Sequence, residues 1–250
     1  MSRRNAGLVC AGLVAAITVS GCSWFSRDKV QPTESPTSST TTSGSPTESA
    51  STQTPSRQLS EVLSRTQSAG GASVQVSVEL TGVNTSSFSG LLDVWTGEGR
   101  GDYTSASGRV AQRIIKGGKT YTSAGTSWVA TSQSGRGLVG GDLPTLWQTV
   151  RAAALTSATS NSYQGAIDVR TALQLAGIDA NTIALLNLSG AVAALTLNYD
   201  ADGLVQSIKI SADMPSASKT LKVAVAVSDF GQIVDVIAPS VAITSGPEGQ

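Results

Sequence analysis

Residues 73–80 read SVQVSVEL, and the pattern of this segment indicates the fold of the chain. Apolar and polar side chains alternate along it, and the apolar ones are Val74, Val76, Val78 and Leu80. Because successive side chains of a β-strand point to opposite faces, the alternation predicts a strand with one aliphatic face and one solvated face. Such strands are typical of antiparallel sheets that pack against a core on one side only.

The same two-residue alternation recurs along much of the chain. It is clearest at 193–199 and 221–227, where apolar side chains occupy every second position. Gly117-Gly118 suits a two-residue hairpin turn, whereas the glycine-rich residues 97–102 are predicted to break or bend the sheet. The remaining predicted strands are 89–95, 110–115, 119–123, 126–130, 163–169, 204–211 and a short last one at 233–237.

Helical periodicity interrupts the strands at three places. Residues 57–68 have apolar side chains at spacings of three and four, which predicts an amphipathic helix. Asp142 followed by Pro144 predicts the start of a second helix, which runs to about residue 157. Residues 171–188 are predicted as short helical turns. The chain is therefore expected to be an α+β domain, with a single curved antiparallel sheet (a half-barrel) and helices packed on its concave face.

The composition excludes several kinds of chemistry. The chain has no histidine, and its two cysteines are Cys10 and Cys22. A Ser-His-Asp triad, a Cys-His pair and a zinc site with the usual nitrogen and sulfur ligands are therefore not available to the domain that follows. No basic cluster stands out among the 17 lysines and arginines, which argues against nucleic acid as a partner. We expect no metal, no cofactor and no catalytic residue, and hence a protein that is not an enzyme.

The N-terminus has the features of an exported lipoprotein. Two arginines precede an apolar run at 6–19, which is shorter than the roughly 20 residues that a membrane-spanning helix needs. The run ends in Val-Ser-Gly-Cys at 19–22, which resembles a bacterial lipobox. This resemblance implies that residues 1–21 are a signal peptide and that acyl chains such as palmitate are attached to Cys22. The protein would then be held on the extracytoplasmic face of the cell membrane.

A tether separates this anchor from the folded part. Residues 22–56 begin with the cysteine and become almost entirely Ser, Thr, Pro, Gly and Gln, so they cannot bury enough apolar surface to offset the entropy of ordering. We predict that they form a disordered linker. Residues 57–240 are predicted to form the domain, and residues 241–250 a C-terminal tail.

A set of motifs in a fixed order carries a resemblance to a known family. They are the lipobox at 19–22, the first helix leading into 73–78, KGGKTY at 116–121, Trp128, the helix at Leu143-Pro144 and YDADGL at 199–204. This order resembles the mycobacterial LppX/LprG-type lipoproteins and, more distantly, the LolA/LolB lipoprotein carriers. The likeness implies a half-barrel closed by helices, an apolar cavity that holds the acyl chains of a lipid or glycolipid, and transport of lipids or lipoglycans across the envelope.

A lipid carrier needs an apolar interior larger than its own side chains fill. We expect an elongated apolar cavity of several hundred Å³, as an order of magnitude, between the sheet and the helices. Small side chains at Ala193, Ala224 and Ala226 would widen it if they face inward. The candidate lining residues are Val74, Val76, Val78, Leu80, Leu146, Trp147, Val150, Leu195, Leu197, Val223 and Val225.

Two other functions are compatible with the sequence. The chain could be a non-enzymatic scaffold or regulator, with an envelope transporter or enzyme as its partner. It could also be a hydrolase that uses carboxylates, with Asp93, Glu98 and Asp102 as candidates, although exposed turn carboxylates are far commoner. The three tryptophans Trp95, Trp128 and Trp147 could stack on sugars, but core or cavity-mouth positions are favoured.

Overall fold

The stretch at 73–80 lies in the central strand of one large sheet. A computed structural model of the chain describes residues 55–189, 191–240 and 243–245. In strand β1 (Gly71–Leu80), the side chains of Val74, Val76 and Val78 are buried, whereas those of Gln75 and Glu79 are exposed. The two-residue alternation therefore separates a core face from a solvated face, as predicted.

The described residues form four α-helices and twelve strands. The helices are α1 (Pro55–Ser68), α2 (Leu143–Ala152), α3 (Val169–Leu175) and α4 (Ala180–Leu185), and 3-10 turns occur at Leu138–Gly140 and Pro215–Ala217. The first strands after β1 are β2 (Val83–Asp93), β3 (Gly99–Thr104), β4 (Val110–Lys116), β5 (Lys119–Ala124) and β6 (Ser127–Ser132). The later strands are β7 (Ala154–Ala158), β8 (Ser162–Asp168), β9 (Val192–Tyr199), β10 (Val205–Met214), β11 (Lys219–Gln232) and β12 (Ile243–Ser245).

The sheet consists of two meanders joined at its centre. Its strand order is β12-β6-β5-β4-β3-β2-β1-β11-β10-β9-β8-β7, and every pair is antiparallel except β12 with β6. The two meanders meet where β1 pairs with β11, which places Val74 opposite Val227 and Val76 opposite Val225. This topology confirms the predicted fold class, an α+β half-barrel built on one large open antiparallel sheet.

Helical side chains complete the core on the apolar face of this sheet. Leu63 of α1, Trp147 of α2 and Leu173 of α3 are buried in the same cluster as the valines of β1. The indole nitrogen of Trp147 donates a hydrogen bond of 2.6 Å to the backbone oxygen of Val94, just after β2. This bond satisfies the polar atom of an otherwise apolar side chain and fixes α2 against the sheet.

The glycine-rich segment at 97–102 differs from its prediction. Gly97, in the turn after β2, has a left-handed backbone (φ 70°), but Gly99–Thr104 is a full strand with partners on both sides. A Cβ atom at Gly101 would lie 2.3 Å from the oxygen of Ser89 and 2.6 Å from the Cα of Gly90. Glycine is therefore present because two backbones approach closely, and this does not break the strand.

Two further boundaries are corrected. The helix that begins after Asp142 ends at Ala152, because Ala153 is extended and Ala154–Ala158 pairs with β8 as an edge strand. Residues 233–240 form no strand, and Ile233 and Ile237 are exposed rather than paired. At 154–158 the pairing with β8 overrides the local helical pattern, whereas 233–240 pairs with no strand among the described residues.

Several other predictions are met or fall outside the described residues. The helical turns predicted at 171–188 are α3 and α4, separated at Gly177 by a left-handed backbone (φ 78°). The signal peptide, Cys22 and nearly all of the linker at 22–56 lie outside the described residues. Within the predicted tail, Ile243–Ser245 adds the short strand β12. Over the part of the chain that the structure describes, no helix is both long enough and apolar enough to cross a membrane.

Candidate functional site

The eleven candidate lining residues all lie in the core. None of them is more than 4% exposed, and all belong to one continuous apolar cluster. The strand members come from β1, β9 and β11 and share the inner face, and the helix members come from α2. They are Val74, Val76, Val78, Leu80, Leu146, Trp147, Val150, Leu195, Leu197, Val223 and Val225. That a ligand lies against them remains a prediction.

The register shows that the same inner face continues past β2. Val76 lies opposite Phe88 in β2, Phe88 lies opposite Tyr103 in β3, and Tyr103 lies opposite Ala111 in β4. Because directly paired residues of an antiparallel ladder point to the same face, Tyr103 and Ala111 extend the face that carries the core valines. The inner face therefore runs without interruption from the packed core to β3–β6.

A groove of about 360 Å³ opens on this part of the inner face. We call it the inner groove. Its size is at the lower end of the range for ligand sites, roughly 300–1,000 Å³. Its apolar wall is formed by Ala111, Ala124 and Val129, and its remaining lining is polar or aromatic. Those residues are Tyr103, Ser105, Arg109, Arg113, Thr122, Ser123, Thr131 and Arg136. The groove thus differs in place and in lining from the purely apolar cavity expected from the sequence.

Arg113 is the most buried charged residue of the inner groove. It belongs to β4, and only 8% of its surface is exposed. Its Nη1 donates a 2.6 Å hydrogen bond to the backbone oxygen of Val139, and its Nε donates a 3.3 Å bond to the hydroxyl of Thr122. Its guanidinium carbon stands 3.5 Å from the centre of the Tyr103 ring, a cation–π contact.

The electrostatics of Arg113 reflect this burial. Loss of hydration lowers its pKa to about 10, and the nearby positive charge of Arg136 acts in the same direction. Tyr103 partly opposes this shift. Since a pKa near 10 still leaves the side chain protonated at neutral pH, the groove contains a fixed positive charge that water hydrates poorly.

The small residues expected to widen the interior do not share one face. Ala193 is fully buried on the inner face. Ala224 and Ala226 pair with Ser77 and Gln75 of β1, on the solvated side, so their predicted contribution to a cavity is wrong. Because side chains alternate along a strand, the inward positions of Val223 and Val225 in β11 place Ala224 and Ala226 on the other face.

The candidate carboxylates have structural partners or face solvent. Asp93 accepts hydrogen bonds from the backbone nitrogens of Trp95 and Thr96, which shapes the turn after β2. Glu98 accepts a 2.6 Å bond from Lys116, and this bond lowers the pKa of the Glu98 carboxyl. Asp102 lies in β3 on the face opposite the inner groove and is exposed.

The tryptophans have three different environments. Trp147 is a core residue, Trp128 is half-buried in β6, and Trp95 is exposed in the turn after β2. None of them lines the inner groove. Only the expected core position of Trp147 is therefore met in full.

The charged residues of the groove were not among the predicted site residues. One signal could have revealed Arg113, because it lies two positions from Ile115 and therefore shares the buried face of β4. An arginine in phase with core residues is unusual, since arginine is rarely buried without a partner. Arg136 comes from the connection after β6, and no local pattern places it there.

Comparisons with known proteins concern the fold alone. No protein-family model matches the chain, and no curated protein matches it significantly. Among solved structures, LprF from Mycobacterium bovis has a TM-score of 0.47 and 13% identity over 74% of this chain and 96% of its own. Lipoprotein LppX from Mycobacterium tuberculosis has a TM-score of 0.41 and 14% identity over 74% of this chain and 100% of its own.

A third solved structure is a LolA superfamily protein from Nitrosomonas europaea. Its TM-score is 0.32, with 11% identity over 72% of this chain and 94% of its own. The solved structures to which the chain is similar thus include an LppX, an LprF and a LolA superfamily protein, the types that the sequence resembles.

Proposed function

We propose that this protein is a membrane-anchored lipoprotein that binds lipids or lipoglycans in the inner groove and carries them in the cell envelope, without catalysing a reaction. The observation that carries the proposal is the continuity of the inner face. It is a packed core beneath the helices, and it becomes an open groove with a partly apolar wall over β3–β6.

The energetics of acyl-chain burial support a site of this kind. Each buried methylene contributes about 0.8 kcal/mol, so part of one chain along Ala111, Ala124 and Val129 gains several kcal/mol as an order of magnitude. Tyr103 adds an aromatic surface at the side of the groove nearest the core. Binding of this type needs no catalytic constellation.

The N-terminal sequence supports the proposed location. The lipobox at 19–22 would provide an acyl anchor on Cys22, and the linker that ends near residue 56 would let the domain stand clear of the bilayer. An anchored domain could meet a lipid-donating or lipid-accepting partner, such as an envelope transporter or enzyme.

The experiment compares two tryptophan substitutions at neighbouring positions of β4. Ala111→Trp places a large side chain in the inner groove, whereas Gln112→Trp places the same side chain on the opposite, exposed face. Both are made in the full chain that also carries Cys22→Ala, so that no acyl anchor contributes to lipid binding. Uptake of a fluorescent diacylglycerol and of a phosphatidylglycerol with the same chains, each delivered from cyclodextrin, is measured as lipid that co-elutes with the protein.

We expect Ala111→Trp to abolish most uptake and Gln112→Trp to leave it within about twofold of the parent, because surface substitutions away from the site change free energies by roughly 0.5 kcal/mol or less. Thermal unfolding of both variants controls for folding. If the parent chain takes up neither lipid, the proposal fails. If the folded Ala111→Trp variant takes up lipid like the parent, the inner groove is not the site.

A second candidate function is supported by the packing of the core. The eleven residues expected to line a cavity are closely packed, as they would be in a scaffold that carries no ligand. An envelope scaffold or regulator would account for this packing, and a parent chain that binds no lipid would favour it.

A further inference from the structure

The charge of the inner groove is unbalanced. Arg109, Arg113 and Arg136 all line it, and no aspartate or glutamate is among the described residues of its wall. Among the ion pairs of the described residues, none involves these three arginines. The groove therefore concentrates three positive charges on one small surface without a carboxylate to offset them.

Burial makes this imbalance costly at Arg113. Removing a cation from water is unfavourable unless an opposite charge or several acceptors replace the water. The backbone oxygen of Val139 and the hydroxyl of Thr122 accept from two nitrogens of the guanidinium. A guanidinium has five N–H donors, of which these two bonds use one on Nε and one on Nη1, and Tyr103 is a further neutral neighbour. The side chain is thus positioned by neutral groups and keeps donors for a further acceptor.

Other donors of the groove match the same kind of acceptor. Ser105, Ser123 and Thr131 line it together with the arginines. The hydroxyl of Thr131 donates to the backbone oxygen of Thr120, whereas those of Ser105 and Ser123 accept from the backbone nitrogens of Arg109 and Gln112 and keep a proton to donate. Arginine binds phosphate and carboxylate oxygens through two parallel hydrogen bonds, and hydroxyls add further donors to the same oxygens. Three arginines exceed what one carboxylate needs, and they suit the larger charge and greater number of oxygens of a phosphate.

We infer that the inner groove binds the phosphate of an anionic phospholipid, with Arg113, Arg109 and Arg136 at the phosphate and the wall of Ala111, Ala124 and Val129 along an acyl chain. This inference rests on the proposed function and narrows its ligand class. The phosphate replaces the missing counter-charge of Arg113, and the apolar wall accounts for a lipid rather than a free anion.

The test compares two lipids with the same acyl chains, of which one carries an anionic phosphoglycerol headgroup and the other a neutral hydroxyl. The full chain carrying Cys22→Ala is given fluorescent phosphatidylglycerol or fluorescent diacylglycerol with the same acyl chains, each delivered from cyclodextrin. Inorganic phosphate is added as a soluble competitor in a separate arm. The chain is expected to prefer phosphatidylglycerol about tenfold or more, since a hydrogen bond to a charged group is worth roughly 1.5–3 kcal/mol.

Arginine variants test whether the preference for phosphatidylglycerol over diacylglycerol arises in the inner groove. Arg113→Met removes the charge and the donors but keeps apolar bulk, so it should lower phosphatidylglycerol affinity about tenfold or more and leave diacylglycerol affinity within about twofold. Arg113→Lys keeps the charge without the planar fork and should restore part of the preference. Arg100→Gln is the matched control, because Arg100 is an exposed arginine of β3 on the opposite face and should leave both affinities unchanged.

Arg136→Gln keeps the test decisive if the Arg113→Met variant does not fold, because Arg136 is exposed and its replacement disturbs no core contact. Its phosphatidylglycerol affinity should fall severalfold, and the loss should shrink at high salt because exposed charges are screened.

The outcomes separate the two proposals. Equal uptake of both lipids overturns the phosphate inference and leaves the proposed function standing. Uptake of neither lipid overturns both. Binding of inorganic phosphate to a chain that takes up neither lipid also overturns the inference, because the groove then binds a free anion.

Discussion

The contact that fixes the first helix to the sheet gives a quantitative prediction. Thr66 of α1 is fully buried. Its hydroxyl donates to the backbone oxygen of Val62 at 2.9 Å and accepts from the backbone nitrogen of Val205 at 2.9 Å. Val205, at the start of β10, is also fully buried. One hydroxyl therefore satisfies a strand donor that has no access to water.

Thr66→Val keeps the shape of the side chain and removes the hydroxyl. The oxygen of Val62 can keep its intrahelical bond, but the nitrogen of Val205 becomes a buried donor without its acceptor, which costs about 1–3 kcal/mol. For a domain of this size, 1 kcal/mol lowers Tm by about 2–4 °C, so a 2 kcal/mol loss corresponds to about 4–8 °C. The free energy of unfolding is measured by urea denaturation of the full chain, and Tm by calorimetry.

Thr149→Val is the matched control. The hydroxyl of Thr149 makes the same kind of intrahelical bond, 2.8 Å to the oxygen of Thr145, in the half-buried part of α2. Because that hydroxyl accepts no bond from a buried strand donor in the described residues, its loss should cost about 0.5 kcal/mol or less. If both variants lose the same stability, or if Thr66→Val unfolds like the parent, the bond to Val205 does not stabilise the α1–sheet contact.

Two further predictions concern acid sensitivity and the anchor. The bonds that Lys116 and Gly117 donate lower the pKa of Glu98, so the stability they contribute is present above the ordinary glutamate value of about 4.5 and is lost as pH falls through the lower folded value. The Tm difference between the parent and Glu98→Gln should therefore be positive at neutral pH and vanish in acid, and a difference independent of pH would contradict the assigned cause. For the anchor, intact-mass measurement in the native host should show acyl mass on the parent and none on Cys22→Ala, and an unmodified Cys22 in the parent would remove the proposed membrane attachment.

The strands and helices were largely predictable because their signals are local. The alternation in 73–80 needs only the two-residue period of a strand, and the start at Asp142 needs only a capping side chain followed by proline. The corrected elements lack such local determination. Gly99–Thr104 is a strand because β2 and β4 both pair with it, and its glycines reflect backbone contact rather than a turn.

The candidate site was likewise predictable only where its signals are local. Periodicity along the chain is enough to show that one face of the sheet is apolar and that the valines of β1 belong to the core, because burial of a periodic apolar face follows from chain geometry and hydration. The packing of distant segments places helices over part of this face and leaves a groove over β3–β6. It also brought Arg136, from a connection, to Arg113 of β4. The contacts between charged groups depend on strand register and on how distant segments of the chain cross. The spacing of residues along the sequence does not encode these contacts.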